Sequence, residues 1–108
     1  MVITAPDEAW LLEFTRRLVD ARLAACGHHS AIRSIYTWSG AIEDQPETRV
    51  ALHTRASCVP GIITRTNQQH PYDVPCVIAL PITEASPTYR DWILAATDPV
   101  RTPADADL

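Results

Sequence analysis

The stretch His28-His29-Ser30-Ala31-Ile32-Arg33-Ser34-Ile35-Tyr36-Thr37-Trp38, closed by Ser39-Gly40 and answered by Thr48-Arg49-Val50-Ala51-Leu52-His53-Thr54-Arg55, decides the fold of this chain. Ile32, Ser34, Tyr36 and Trp38 alternate with Arg33, Ile35 and Thr37, and β-branched and aromatic residues dominate, so residues 28–38 read as a strand. Ser39-Gly40 marks a turn, and an acidic stretch with Glu43, Asp44, Pro46 and Glu47 follows it. Residues 48–55 then return as a second strand with Val50, Leu52 and Thr54 on one side. A hairpin this long rarely stands alone in a small domain, so it asks for a partner.

Outward from the hairpin, both flanks read as helices. On the amino-terminal side, Met1–Thr4 is a fragment of strand and Pro6-Asp7-Glu8 opens a helix, because proline suits the first turn and the acids suit its positive end. Leu11, Phe14, Leu18, Ala21 and Ala25 repeat at helical spacing, which predicts a helix over 7–25 with Gly27 as its stop. On the other side Ser57 caps a predicted helix over 58–69, which His70-Pro71 ends. Cys76-Val77-Ile78-Ala79-Leu80 is an apolar run of the kind found in central strands. Ser86-Pro87 starts a last helix that carries Tyr89, Trp92, Ile93 and Ala96 on one face.

The order is β-α-β-β-α-β with an appended helix. That is an α+β, ferredoxin-like split βαβ: an antiparallel sheet with helices on one face. The other face and the sheet edges need cover, which points to subunit association. Residues 1–97 form the predicted domain, and 98–108, rich in Pro, Ala and Asp, a predicted mobile tail.

At 108 residues the chain holds one core. A net charge of −4 gives no support to nucleic-acid or acidic-membrane binding, and no apolar run is long enough for a membrane span. All nine basic residues are arginine, which excludes lysine Schiff-base chemistry and a P-loop lysine. Cys26, Cys58 and Cys76 cannot all pair with one another and show no C-x-x-C spacing, so free thiols in a reducing cytoplasm are expected. With three glycines and none of the common hydrolase or phosphate-loop motifs, the sequence offers no enzyme constellation.

Five strings occur together in order: Thr4-Ala5-Pro6-Asp7-Glu8, Leu23-Ala24-Ala25-Cys26, Ser34-Ile35-Tyr36-Thr37-Trp38-Ser39-Gly40, His70-Pro71-Tyr72-Asp73-Val74-Pro75 and Tyr89-Arg90-Asp91-Trp92-Ile93. Over about residues 2–96 the chain thereby resembles the CutA divalent-cation-tolerance family. The resemblance implies a ferredoxin-like fold similar to the PII signalling proteins, and a homotrimer whose long hairpin strands pair across subunits. It also implies a role in tolerance of copper or other divalent cations. Several positions depart from the family pattern. The cysteine that some members carry before the first string is Ile3 here, and the two residues before Pro71 are Gln69 and His70. An acidic residue is replaced by Cys76, and a lysine-threonine pair by His53-Thr54.

His70, Asp73 and Cys76 are the candidate ligands for copper or another divalent cation: imidazole, carboxylate and thiolate within six residues, if the loop folds back. The plainer alternatives are a helix-capping His70 and a buried structural Cys76. Cys26 reads as core at a helix end, and Cys58 as a thiol near a helix start. His28 and His29 are neighbours on a strand and point to opposite faces, so they cannot easily grip one ion within a subunit; copies brought together by a three-fold axis could, and the plainer alternative is a solvated strand start. Tyr36, Trp38, Tyr72, Tyr89 and Trp92 are core or interface packing, or else a stacking wall for a planar ligand in a cleft between subunits. Three functions follow: a trimeric cation-tolerance protein without catalysis, a PII-like sensor of a small metabolite, or a structural trimerisation module.

Overall fold

The computed structural model describes residues 1–98. Its elements are β1 (Val2–Ala5), α1 (Glu8–Asp20), β2 (Cys26–Trp38), β3 (Ala41–His53), a 3-10 turn (Ala56–Cys58), α2 (Val59–Gln69), β4 (Val77–Ile78) and α3 (Pro87–Ala96). The four strands form one antiparallel sheet in the order β2-β3-β1-β4, the ferredoxin-like arrangement expected. The tail expected over 98–108 falls, apart from Asp98, outside the described residues. No helix among the described residues is long and apolar enough to cross a membrane.

The core fills the space between the sheet and the first two helices. Leu11, Phe14 and Leu18 of α1 and Ile62 of α2 meet Ile3, Ala5, Val50 and Leu52 of the sheet, all of them buried. Asp7 caps α1 by accepting from the Ala9 N–H at 2.9 Å and Glu8 lies in the first turn, while Pro6 stands before the cap rather than in the first turn as expected.

The first helix ends sooner than expected, at Asp20 rather than near Ala25. Arg22 takes a positive φ of 62° to turn the chain, and Cys26 and Gly27 lie in β2. Gly27 is needed for space rather than as a stop, since a Cβ there would sit 2.6 Å from Thr15 Cγ2 and 2.9 Å from Val50 Cγ2.

The hairpin is longer than the sequence suggested, because the acidic segment with Pro46 is strand. β1 pairs with β3 only over residues 48–51, so residues 41–47 have β2 alone beside them. A proline and a run of acids are tolerated on such an edge. The turn places Ser39 at φ 50° and Gly40 at φ 79°, the twin positive angles that match the twist of a two-residue hairpin. At about 3.3 Å per residue the hairpin spans roughly 40 Å. That accounts for a molecule of 57 × 28 × 21 Å.

Three further expectations are corrected. Ser57 is not a cap: it lies in the 3-10 turn, and α2 starts after Cys58 with no side-chain cap. The run Cys76–Leu80 is not a central strand. Only Val77 and Ile78 pair, with β1 at the sheet edge, and Ile78 and Leu80 are exposed. Cys26 is a half-buried strand residue, not core at a helix end.

α3 begins as predicted, with Ser86 capping through Tyr89 N–H. Its carboxyl end is tied down by two arginines. Arg22 donates to the carbonyls of Ala95 at 2.6 Å and Asp98 at 2.8 Å, while Arg55 donates to the Leu94 carbonyl and to Thr97 Oγ1. Cations at that end satisfy carbonyls the helix leaves open and oppose its negative pole.

Candidate functional site

Two places gather the side chains singled out in the sequence. The first lies where the base of the hairpin's outer half meets the loop after α2. Tyr36, Trp38, Glu43, Gln45, Pro71 and Tyr72 line a groove of about 650 Å³ there. Tyr72 donates its hydroxyl to Glu47 Oε2 at 3.1 Å, and Glu47 is buried. Burial, with Tyr36 and the Glu47 carboxylate nearby, raises the Tyr72 phenol well above its ordinary value. It therefore remains a hydrogen-bond donor across the physiological range.

His70 sits beside this groove but is not a free ligand. Its Nδ1 accepts the Tyr72 backbone N–H at 2.9 Å, which places the ring proton on Nε2, and Nε2 donates to the Thr4 carbonyl at 2.7 Å. Trp10 packs edge-on against the ring at 5.1 Å between centroids. Both nitrogens are thus engaged, Nε2 fastening the end of α2 to β1 and Nδ1 holding the loop that follows. Asp73 and Cys76 are exposed, and the ligand atoms of His70, Asp73 and Cys76 do not converge. The proposed three-ligand set is corrected on that ground. The buried thiol considered for Cys76 is corrected too.

Tyr89 and Trp92 do not share the groove with Tyr36, Trp38 and Tyr72. They stack on each other, centroids 5.6 Å apart at 26°, over the other end of the hairpin. There Tyr89 reaches the second place of interest.

The second place is built by strand alternation and register. Gly27, Val50 and Leu52 face α1, so Cys26, His28 and His53 point to the opposite side of the sheet. Cys26 stands directly across from His53, with His28 one step along the same face. The His28 and His53 rings meet edge to face at 5.1 Å. One ligand atom from each of Cys26, His28 and His53 lies within 4.8 Å of the others, the one such trio of His, Cys, Asp or Glu among the described residues.

Tyr89 closes the cluster from above. Its hydroxyl lies 2.7 Å from His53 Nδ1 and 3.3 Å from Cys26 Sγ. The bond to Cys26 raises the Tyr89 phenol, while burial, and next the adjacent His28, lower the pKa of His53. His29, on the helix side as alternation required, takes no part, and burial lowers its pKa as well.

Sequence reading missed this trio because His53 comes from β3 while Cys26 and His28 come from β2. The signal was present in the turn. A two-residue turn at Ser39-Gly40 pairs Trp38 with Ala41, and the same register carried to the strand ends pairs Cys26 with His53.

Residues 1–96 match the family model described as CutA1 divalent ion tolerance protein. The chain belongs to the CutA family. It is 38% identical over 99 residues to Protein CutA of Mus musculus, covering 91% of this chain and 56% of that protein. The divalent-cation tolerance protein CutA of Pectobacterium atrosepticum is 34% identical over 97 residues, covering 89% of this chain and 88% of the relative. A solved structure of the periplasmic divalent cation tolerance protein CutA from Archaeoglobus fulgidus superposes with a TM-score of 0.87 at 30% identity, covering 90% of this chain and 95% of that one. The chain spans a little over half the length of the mammalian family members it matches.

Proposed function

We propose that this protein serves divalent-cation tolerance as a cytoplasmic homotrimer that binds its ligand and transforms nothing. Membership of the CutA family supports the tolerance role. Three free thiols suit a reducing compartment. The observation that carries the assembly is the hairpin. Beyond the reach of β1 it is a bare two-stranded ribbon, with Ile35 69% and Ile42 78% exposed and Trp38 also open to solvent. Such ribbons are marginal in water, and their unpaired edges template pairing with another chain. Copies that lend each other hairpins remove both problems at once.

Light scattering tests this directly. The expected mass is three times the 11.9 kDa subunit, falling toward one subunit when Ile35→Asp and Ile42→Asp are combined. A wild-type mass of one subunit refutes the assembly. Restoration of copper tolerance in a host lacking its own family member tests the role. Failure of the trimeric wild type to restore it removes the tolerance reading.

The groove of Tyr36, Trp38, Glu43 and Tyr72 favours a second reading, a sensor holding a planar metabolite against the aromatic wall. Thermal-shift screening of planar metabolites with wild type and Tyr36→Ala separates the two.

A further inference from the structure

We infer that Cys26, His28 and His53 form a binding site for a borderline-to-soft transition-metal ion, of the chemistry shared by Zn2+ and Cu+. This goes beyond the tolerance reading, which names neither ligands nor a place.

The donor set decides the class of ion. One thiolate and two imidazoles suit zinc and copper, whereas hard ions such as Mg2+ and Ca2+ take oxygen ligands, and no carboxylate belongs to the trio. The spacing fits as well. Metal–ligand bonds of about 2.0–2.3 Å put the donors of a tetrahedral zinc site roughly 3.3–3.8 Å apart. The trio, already within 4.8 Å, has to close by about 1 Å, a shift within reach of ordinary side-chain rotation.

The strands supply the rigidity such a site needs. Cys26 and His28 share one face of β2, and His53 stands opposite Cys26 on β3, so the backbone ladder fixes all three Cα positions. Tyr89 acts as a positioning residue, its hydroxyl bridging His53 Nδ1 and Cys26 Sγ. His28 is exposed in the single subunit. On binding, the Cys26 thiol gives up its proton to solvent and the thiolate sulfur donates an electron pair to the metal; no oxidant is required.

The experiment is calorimetric titration of the reduced, metal-stripped full chain with Zn2+, and an anaerobic competition assay with Cu+. Saturation at one ion per chain is expected, with Mg2+ producing no heat. Cys26→Ser, His28→Ala and His53→Ala each weaken binding by more than about a hundredfold, while Tyr89→Phe weakens it by about tenfold. Cys76→Ser, at the exposed thiol across the fold, leaves affinity unchanged. Substitution by Co2+ gives an independent readout: a thiolate-to-cobalt charge-transfer band in wild type that Cys26→Ser abolishes. Binding that survives Cys26→Ser and both histidine variants, or a cobalt complex without that band, overturns the inference. A sample that remains trimeric yet binds no zinc or cuprous ion overturns it too, and leaves the assembly reading standing.

Discussion

The inner ends of β2 and β3 show two opposite surfaces within one crossing of the chain. Toward α1, Thr15, Val50 and Leu52 crowd Gly27 and leave no room for a carbon on it. Away from it, Cys26, His28 and His53 form a polar cluster under Tyr89. Adjacent residues of the same strands thus serve different ends, because the side-chain period of two sends one set to the dry interior and the other to an open face. Stability resides on the first surface and ligand chemistry on the second, so a substitution on one leaves the other's property in place.

Phe14→Ala gives the largest expected loss. Phe14 is 1% exposed and stacks on Trp10 with centroids 4.9 Å apart, so truncation leaves a cavity at the centre of the core. Denaturant unfolding is expected to register about 3–5 kcal/mol. Gly27→Ala follows: its new Cβ would sit 2.6 Å from Thr15 Cγ2, an overpacking worth about 1–3 kcal/mol by the same measurement. A neutral result there would show that β2 can lift away from α1. On the other surface His53→Ala should change unfolding free energy by less than about 1 kcal/mol. Zinc is then expected to raise the melting temperature of wild type and leave this variant unmoved, because a ligand stabilises only the protein that binds it.

The smallest effect is that of pH. Burial depresses the pKa of His53 below the ordinary 6.5, with His28 adding to the shift, and His29 is depressed chiefly by burial. The unfolded chain therefore binds protons more readily at these sites than the folded one. Their contribution is complete above pH 6.5 and is lost as pH falls through the lower folded values. Unfolding free energy should drop between about pH 7 and pH 5, and less steeply in His53→Asn. An equal slope in both proteins contradicts the assignment.

The fold was legible because alternation in residues 28–38 and helical spacing through Leu11, Phe14 and Leu18 are local patterns. Boundaries failed where tertiary context overrode local cues. Gly27 looks like a helix stop until α1 is laid against it, and Pro46 looks like a loop residue until the ribbon is seen to be an edge. The short β4 was misread for a related reason, since an apolar run does not reveal which strands will flank it.

Site reading fared differently. His70-Pro71-Tyr72 attracted attention as a contiguous motif, yet the ring of His70 is consumed by Thr4 and Tyr72. His53 is separated from Cys26 and His28 by the length of the hairpin, and their meeting depends on its register. Alternation had already set His28 and His29 on opposite faces. The missing step was to carry the Ser39-Gly40 turn back to the strand ends.

X-ray absorption spectroscopy at the zinc edge of the zinc-loaded protein tests the central claim most directly. One sulfur and two imidazole nitrogens in the first coordination sphere are predicted, from Cys26, His28 and His53. A sphere of oxygen and nitrogen without sulfur would contradict the account.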